Sequence, residues 1–343
     1  MGLLFILVLA AVCMAASWTI TMSVRSVALR AGLLDRPNER SSHSVPTPRG
    51  GGVAIVTTLL VLMVALTAAG LIEPLLCVAI AGSGLLVATV GFIDDRTPLR
   101  ARWRFASHLT ATVWVLAWMS PLPPVPILGF TIDLRVAVML LSALYLVWSI
   151  NLFNFMDGID GIASVEAISV SLSGASLWWL VHPAGDWAVA VLLASCVAGF
   201  LVWNFPPAKI FMGDAGSGFL GLVIGTLSLW SAKSEPMLFW CWFILIGCFM
   251  VDATTTLLRR VVRGEKFYLA HRSHAYQYAA RKHGGHRPVT LAVGAINIVW
   301  LLPIAGLVAL GRVDGVAGVL IAYAPLVWLA YSYKAGDKAA QEV

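Results

Sequence analysis

Residues 135–161 read RVAVMLLSALYLVWSINLFNFMDGIDG. No charged residue falls between Val136 and Met156, and Asn151, Asn154, Asp157 and Asp160 then follow at three-residue steps. As an α-helix, a run of this length crosses the ~30 Å hydrocarbon core of a bilayer. It shows no period-two alternation, so a barrel strand is excluded. Asn151, Asn154 and Asp157 line one side of the helix near its end, and Gly158 and Gly161 break it where the backbone can approach a ligand. Amides and acids in such a segment are expensive and usually functional. Gluing neighbouring helices by hydrogen bonds would account for one Asn, but not for two amides and two acids together.

The rest of the chain repeats the apolar theme. It is 59% hydrophobic and 12% charged, where soluble domains average about 25% charged. Eleven apolar runs can be marked, at 2–24, 50–72, 74–93, 105–120, 135–155, 161–181, 187–205, 218–231, 236–257, 288–310 and 313–333. The expected fold is an all-α polytopic membrane protein of about 11 transmembrane helices, one integral membrane domain over residues 1–343. The first run lacks a preceding basic residue and is followed by Arg25 and Arg30, so it is expected to be an uncleaved helix. The five cysteines fall in apolar runs without metal-ligand spacing.

Charge sets the expected orientation. With the N-terminus outside (periplasmic), the odd loops and the C-terminal tail hold 20 of the 23 Lys and Arg; the even loops hold Arg135, Lys233 and Arg312. The positive-inside rule makes the odd loops and the C-terminus cytoplasmic. The net charge of +6 is thereby explained by topology, without a nucleic-acid partner.

Four polar stretches then share one face. Asp94 and Asp95 end the third run; successive side chains diverge by about 100° on a helix, so the two serve different partners. An acidic pair is unfavourable at a helix C-terminus, which weakens a purely structural reading. Asn151–Gly161 is the second stretch. The third, FMGDAGSG at 211–218, sets Asp214 among Gly213, Gly216 and Gly218 before a helix. Such glycines allow a backbone nest for an anion, and the helix N-terminus adds positive potential. An acid beside a phosphate site calls for a bridging cation, and Mg2+ suits one or two carboxylates plus substrate phosphates; a simple N-cap is the alternative. The fourth stretch holds His271, Arg272 and His274, whose spacing fits no zinc motif and suits a diphosphate or a solvated basic loop. Arg49, followed by Gly50–Gly52, is a further anion candidate.

PNERSSHSVPTPRGGG (37–52), GFIDD (91–95), NLFNFMDGIDG (151–161), FMGDAGSGFLG (211–221), and the run from Asp252 through RRVVRGEKF to HRSH resemble, in order, the polyprenyl-phosphate N-acetylhexosamine-1-phosphate transferases. These bacterial membrane enzymes begin O-antigen, teichoic-acid and related glycans, and the peptidoglycan-precursor translocase shares their superfamily. Tyr276 and Gln277 stand where further His are expected, which resembles the O-antigen-initiating branch with 6-deoxy-HexNAc donors.

The resemblance implies a reaction and its parts. A UDP-N-acetylhexosamine gives its sugar-1-phosphate to undecaprenyl phosphate, UMP leaves, and the prenyl diphosphate sugar stays in the bacterial inner membrane. It implies Asp214, with Asp94, as ligands of Mg2+ (Mn2+ as substitute), and Asp94, Asp95 and Asp157 as catalytic acids. Arg49, Asn151, Asn154, Asp160, His271, Arg272 and His274 are implied to bind substrate. The site is expected from cytoplasmic loops 25–52, 94–104, 156–161, 206–217 and 258–287, with membrane lipid and, as a candidate, a homodimer as further partners. A muramoyl-pentapeptide transferase would share this chemistry. A secondary transporter or flippase is the reading from another class, but its acids belong near the bilayer midplane between repeats, and none are visible.

Overall fold

A computed structural model of the protein describes residues 2–37, 45–132, 134–265 and 271–337. Parts of two loops expected at the site, residues 38–44 and 266–270, lie outside the described residues. All eleven apolar runs form helices. The first seven are α1 (Leu3–Arg30), α2 (Gly52–Ala68), α3 (Pro74–Asp94), α4 (Ala101–Met119), α5 (Arg135–Met156), α6 (Ile162–Val181) and α7 (Ala188–Asn204). Then come α8 (Asp214–Ser234), α9 (Met237–Leu245), α10 (Gly247–Val262) and a short α11 (Ala275–Lys282). A last pair of crossings comprises α12 (His286–Ile296), a π-helical turn (Asn297–Leu301) and α13 (Leu302–Ala309), followed by α14 (Gly315–Ser332). Two antiparallel ladders complete the described chain: β1 (Leu34–Asp35) with β2 (Thr47–Pro48), and β3 (Val125–Ile127) with β4 (Phe130–Ile132). The chain is thus an all-α, multi-pass membrane protein.

Three details differ from the sequence reading. Among the described residues, seven helices, or eight counting a bent pair, are long and apolar enough to cross a membrane, rather than eleven. The shortfall has physical causes: α2 and α7 have 17 residues each, about 25 Å of helix, and α4 opens with Arg102 and Arg104. The run at 236–257 is not one straight helix, since α9 and α10 meet at 71°. The eighth run begins four residues earlier than expected, so Asp214 is the first residue of α8 rather than part of the preceding loop.

Helix α8 is the axis of the bundle, and all of its membrane-crossing window is buried inside the protein. Glycines bring its neighbours close. A Cβ on Gly52 of α2 would collide with the Gly216 backbone, and one on Gly91 of α3 would lie 2.6 Å from the backbone of Asp214. Gly221 faces Ser149 of α5, whose Oγ donates to the Gly221 carbonyl at 2.8 Å. Without an oily-versus-aqueous driving force between helices, such close backbone contact is a main source of packing energy in a membrane. Its effect here is to gather the ends of α3 and α5 and the starts of α2 and α8 at one end of the bundle.

Candidate active site

The acids of α3 and α8 meet through backbone and arginine. The loop before α2 is clamped to the one before α8: Phe211 N donates to Pro48 O at 2.8 Å, and Gly51 N and Gly52 N donate to Phe211 O and Met212 O at 2.9 and 2.8 Å. That clamp places Arg49. Its Nε lies 2.8 Å from Asp95 Oδ1 and its Nη2 lies 2.8 Å from Asp214 Oδ1. Arg104, one turn into α4, approaches Asp94 Oδ2 at 3.1 Å and Asp214 Oδ2 at 3.7 Å.

Asp95 also closes the start of α8. Its carboxylate accepts from Asp214 N at 2.9 Å and Ala215 N at 3.4 Å, two N–H groups that a helix start leaves without internal partners. The cap of α8 is therefore a side chain from another helix, and Asp214 is not the cap. Gly213 makes room for it. At φ +78° it is left-handed, and a Cβ there would strike the Asp95 carboxylate. Burial pushes the Asp95 pKa up, against the opposing pull of Arg49 and the two amides. Partial burial works against the charge of Arg49, but Asp95, Asp214, Asp35 and Asp157 outweigh this and raise its pKa.

A cavity of about 210 Å³ opens beside this network. Arg49, Asn154, Asp157, Asp160 and Asp214 line it, five of the residues expected from sequence. Asn154 Nδ2 donates to Ser217 Oγ at 3.3 Å. Asp157 caps the end of α5. Among the described residues, no hydrogen bond reaches its carboxyl group. Burial drives its pKa well above the ordinary 3.8, with Arg49 opposing and Asp214, Asp95 and Asp160 adding to the rise. Asp160 is firmly held instead: Oδ2 accepts from Ala208 N at 3.0 Å and lies 3.2 Å from His286 Nδ1.

The remaining candidates stand back from the cavity. Asp94 and Asp95 act on it through Arg104, Arg49 and α8. Asn151 lies one turn deeper and donates to Val147 O at 2.7 Å. His274 is buried as the N-cap of α11, 3.3 Å from Asp252 Oδ1, and His271 stacks on it with ring centroids 4.9 Å apart. Asp252 also accepts from Ala275 N at 3.0 Å and Tyr276 N at 2.9 Å, tying this segment to α10. Arg272 neighbours Arg281. From this stretch Gln277 reaches the cavity, while Tyr276 donates its hydroxyl to Phe155 O at 3.0 Å. Asp35, Asn204, Phe211 and His286 also line it without having been singled out. Asn204 had a signal, an amide ending an apolar run; Phe211, Asp35 and His286 resemble ordinary loop residues.

Chemically, four carboxylates (Asp35, Asp157, Asp160 and Asp214) face one guanidinium, amides and an aromatic ring. The excess of negative charge fits a hard divalent cation. Among the described residues no three His, Cys, Asp or Glu converge as a ready metal cage. Arg49 presents the fork that suits phosphate oxygens.

Comparison with known proteins gives the same direction. Residues 75–232 match the family model described as glycosyl transferase family 4. The chain is 29% identical over 360 residues to a decaprenyl-phosphate N-acetylglucosaminephosphotransferase of Mycolicibacterium smegmatis, covering 93% of this chain and 86% of that one. It is 28% identical over 292 residues to a probable undecaprenyl-phosphate N-acetylglucosaminyl 1-phosphate transferase of Bacillus subtilis, covering 82% and 79%. A phospho-N-acetylmuramoyl-pentapeptide-transferase of Moorella thermoacetica is 30% identical over 249 residues, covering 68% and 76%.

Proposed function

We propose, from the premise that the chain belongs to the polyprenyl-phosphate N-acetylhexosamine-1-phosphate transferases of glycosyl transferase family 4, that it joins a UDP-N-acetylhexosamine to undecaprenyl phosphate. An oxygen of the lipid phosphate attacks the β-phosphorus of the donor. The bond from that phosphorus to the bridging oxygen breaks, and UMP carries the oxygen away. The observation that carries this reading is the cavity in which Asp157 and Asp214 face Arg49.

In this reading Arg49 leaves Asp214 to grip the diphosphate, while its bond to Asp95 keeps the guanidinium aimed. Asp157, lacking a donor and raised in pKa, takes a proton from the incoming lipid phosphate. Asn154 contacts the nucleotide, and Asp160 with His286 fixes the far wall. Asp94 and Asp95, expected at the chemistry, instead set Arg104, Arg49 and the first turn of α8. Asp214 would hold Mg2+, or Mn2+ in its place, which would supply neutralisation of phosphate charge. Gln277 at the cavity wall supports a donor other than the muramoyl-pentapeptide nucleotide, such as a 6-deoxy-HexNAc of an O-antigen pathway. The charge asymmetry of the loops supports an inner-membrane protein with this site at the cytoplasmic face.

UMP release by the purified protein with Mg2+, undecaprenyl phosphate and a panel of UDP-sugars tests the reading. Release that requires both lipid and Mg2+ is expected, and the best donor names the sugar. Absence of release with every donor, from folded protein, overturns it; consumption of UDP-N-acetylmuramoyl-pentapeptide alone moves it to the translocase branch. A reporter fused after Lys334 is expected to read cytoplasmic, and a periplasmic reading reverses the orientation.

A further inference from the structure

The transfer chemistry uses one hollow and leaves another beside it. A groove of about 370 Å³ runs between α10, α11, α12 and α14. It shares no lining residue with the donor cavity. Two short stretches of chain separate them: Met156 and Tyr276 face the groove, while the next residues, Asp157 and Gln277, face the cavity. Met156 and Tyr276 are buried, and the Tyr276 hydroxyl donates to Phe155 O at 3.0 Å, so this wall is closed. Phe249, Val289, Val293, Leu326 and Ala330 give the groove an apolar surface. The acid in its lining, Asp252, already accepts from Ala275 N and Tyr276 N.

The groove has an apolar side and a basic end. On α12 its lining residues Pro288 and Ala292 are exposed, with Leu291 exposed beside them; on α14 Leu329 is half-buried beside exposed Trp328. The opening therefore lies between two helices long and apolar enough to cross a membrane, where hydrocarbon rather than water meets it. A lipid tail is as apolar as these walls, so filling the groove favours no particular lipid. Selection belongs to the end where α12 starts and α14 stops, at the boundary with water. There His283 Nε2 lies 3.0 Å from the Tyr333 hydroxyl, and both residues line the groove. The Lys282 ammonium sits 5.3 Å from the centre of the Tyr333 ring, and that of Lys334 sits 5.1 Å from the centre of Tyr278. Among the described residues no carboxylate pairs with either lysine. Two ammonium groups against aromatic faces, at the head of an apolar slot, suit a phosphate that carries a long hydrocarbon chain.

We propose that this groove binds one anionic phospholipid of the bilayer, with an acyl chain between α12 and α14 and the phosphate at Lys282 and Lys334. The closed wall keeps that phosphate from Asp157, so this lipid is not the one that reacts. It fixes α11, which carries Gln277 to the donor cavity. Full-length protein is placed in nanodiscs of equal phosphatidylglycerol and phosphatidylcholine, and the lipid it retains is identified by native mass spectrometry. Wild type is expected to retain phosphatidylglycerol about tenfold over phosphatidylcholine. The double variant Lys282→Gln with Lys334→Gln is expected to lose that preference. Ala292→Trp, which fills the opening without changing charge, is expected to retain neither lipid. Arg25→Gln with Lys209→Gln removes the same charge elsewhere and is expected to match wild type. No preference in wild type overturns the proposal, as does wild-type retention in the groove variants. An equal loss in the Arg25 and Lys209 control also overturns it, since net charge alone then attracts the lipid. Displacement of phosphatidylglycerol by equimolar undecaprenyl phosphate overturns it by giving the groove to the acceptor. The effect on donor binding rests on the transferase reading above. Wild-type donor KM is expected to be about threefold higher in phosphatidylcholine than in phosphatidylglycerol, and equal values overturn the link through α11. If wild-type protein releases no UMP, the transferase reading fails alone, and lipid retention still decides the site.

Discussion

The ends of α3 and α5 carry the same residue type to the same end of the bundle, and use it in opposite ways. At α3, Asp94 and Asp95 are surrounded by donors: Leu99 N, Arg104, Arg49, Asp214 N and Ala215 N. At α5, Asp157 faces the cavity with no hydrogen bond to its carboxyl group among the described residues, and its pKa is driven up. A buried carboxylate with its hydrogen bonds made holds structure together. One left without them is an energetic liability that the protein tolerates, and perturbed groups of this kind gather at functional sites.

Four experiments press on that contrast. Asp157→Asn is expected to lower kcat about a thousandfold or more without loss of thermal stability; substantial remaining turnover places the chemistry elsewhere. Asp95→Ala reverses the pattern. It removes the cap of α8 and strands Arg49, and a melting curve is expected to show a loss of about 3 kcal/mol; a variant as stable as wild type but inactive would erase the distinction between the two ends. His286→Ala frees Asp160 and one wall of the cavity, and an increase in donor KM of about tenfold is expected with kcat nearly kept. The gentlest effect is on pH. The folded pKa of Asp157 lies above its ordinary 3.8, so the stability from its protonated form is complete below about pH 4 and fades as pH rises through the folded value. The Asn variant cannot ionise. Its melting temperature is therefore expected to gain on that of wild type as pH rises from 4 toward neutral, measured with metal chelated, and a constant difference removes the pKa argument.

Sequence alone revealed the helices and five cavity residues for a plain reason: both rest on local pattern. Apolar runs mark helices wherever they fold, and amides or acids at run ends announce themselves, as Asn154, Asp157 and Asp214 do. Partnership is not local. Nothing in GFIDD says that Asp95 will cap a helix that begins 119 residues later, or that Asp94 will face Arg104. The same limit applied to His271 and His274, a promising pair by composition that folds onto Asp252 instead of the cavity. The bend after Ile246 was hidden because an apolar run reads alike whether straight or broken.

The close glycine contacts of α2, α3 and α5 with α8 bear on traffic. Where Gly52 meets Gly216 and Gly91 meets Asp214, backbone touches backbone, so the start of α8 is fixed against α2 and α3 beside the cavity. A second hollow of about 530 Å³ adjoins the cavity, sharing Asp160, Phe211 and His286 and bordered by Thr47, Pro206 and Gly284–Arg287. In the transferase reading, a water-soluble donor would enter through this hollow, past His286.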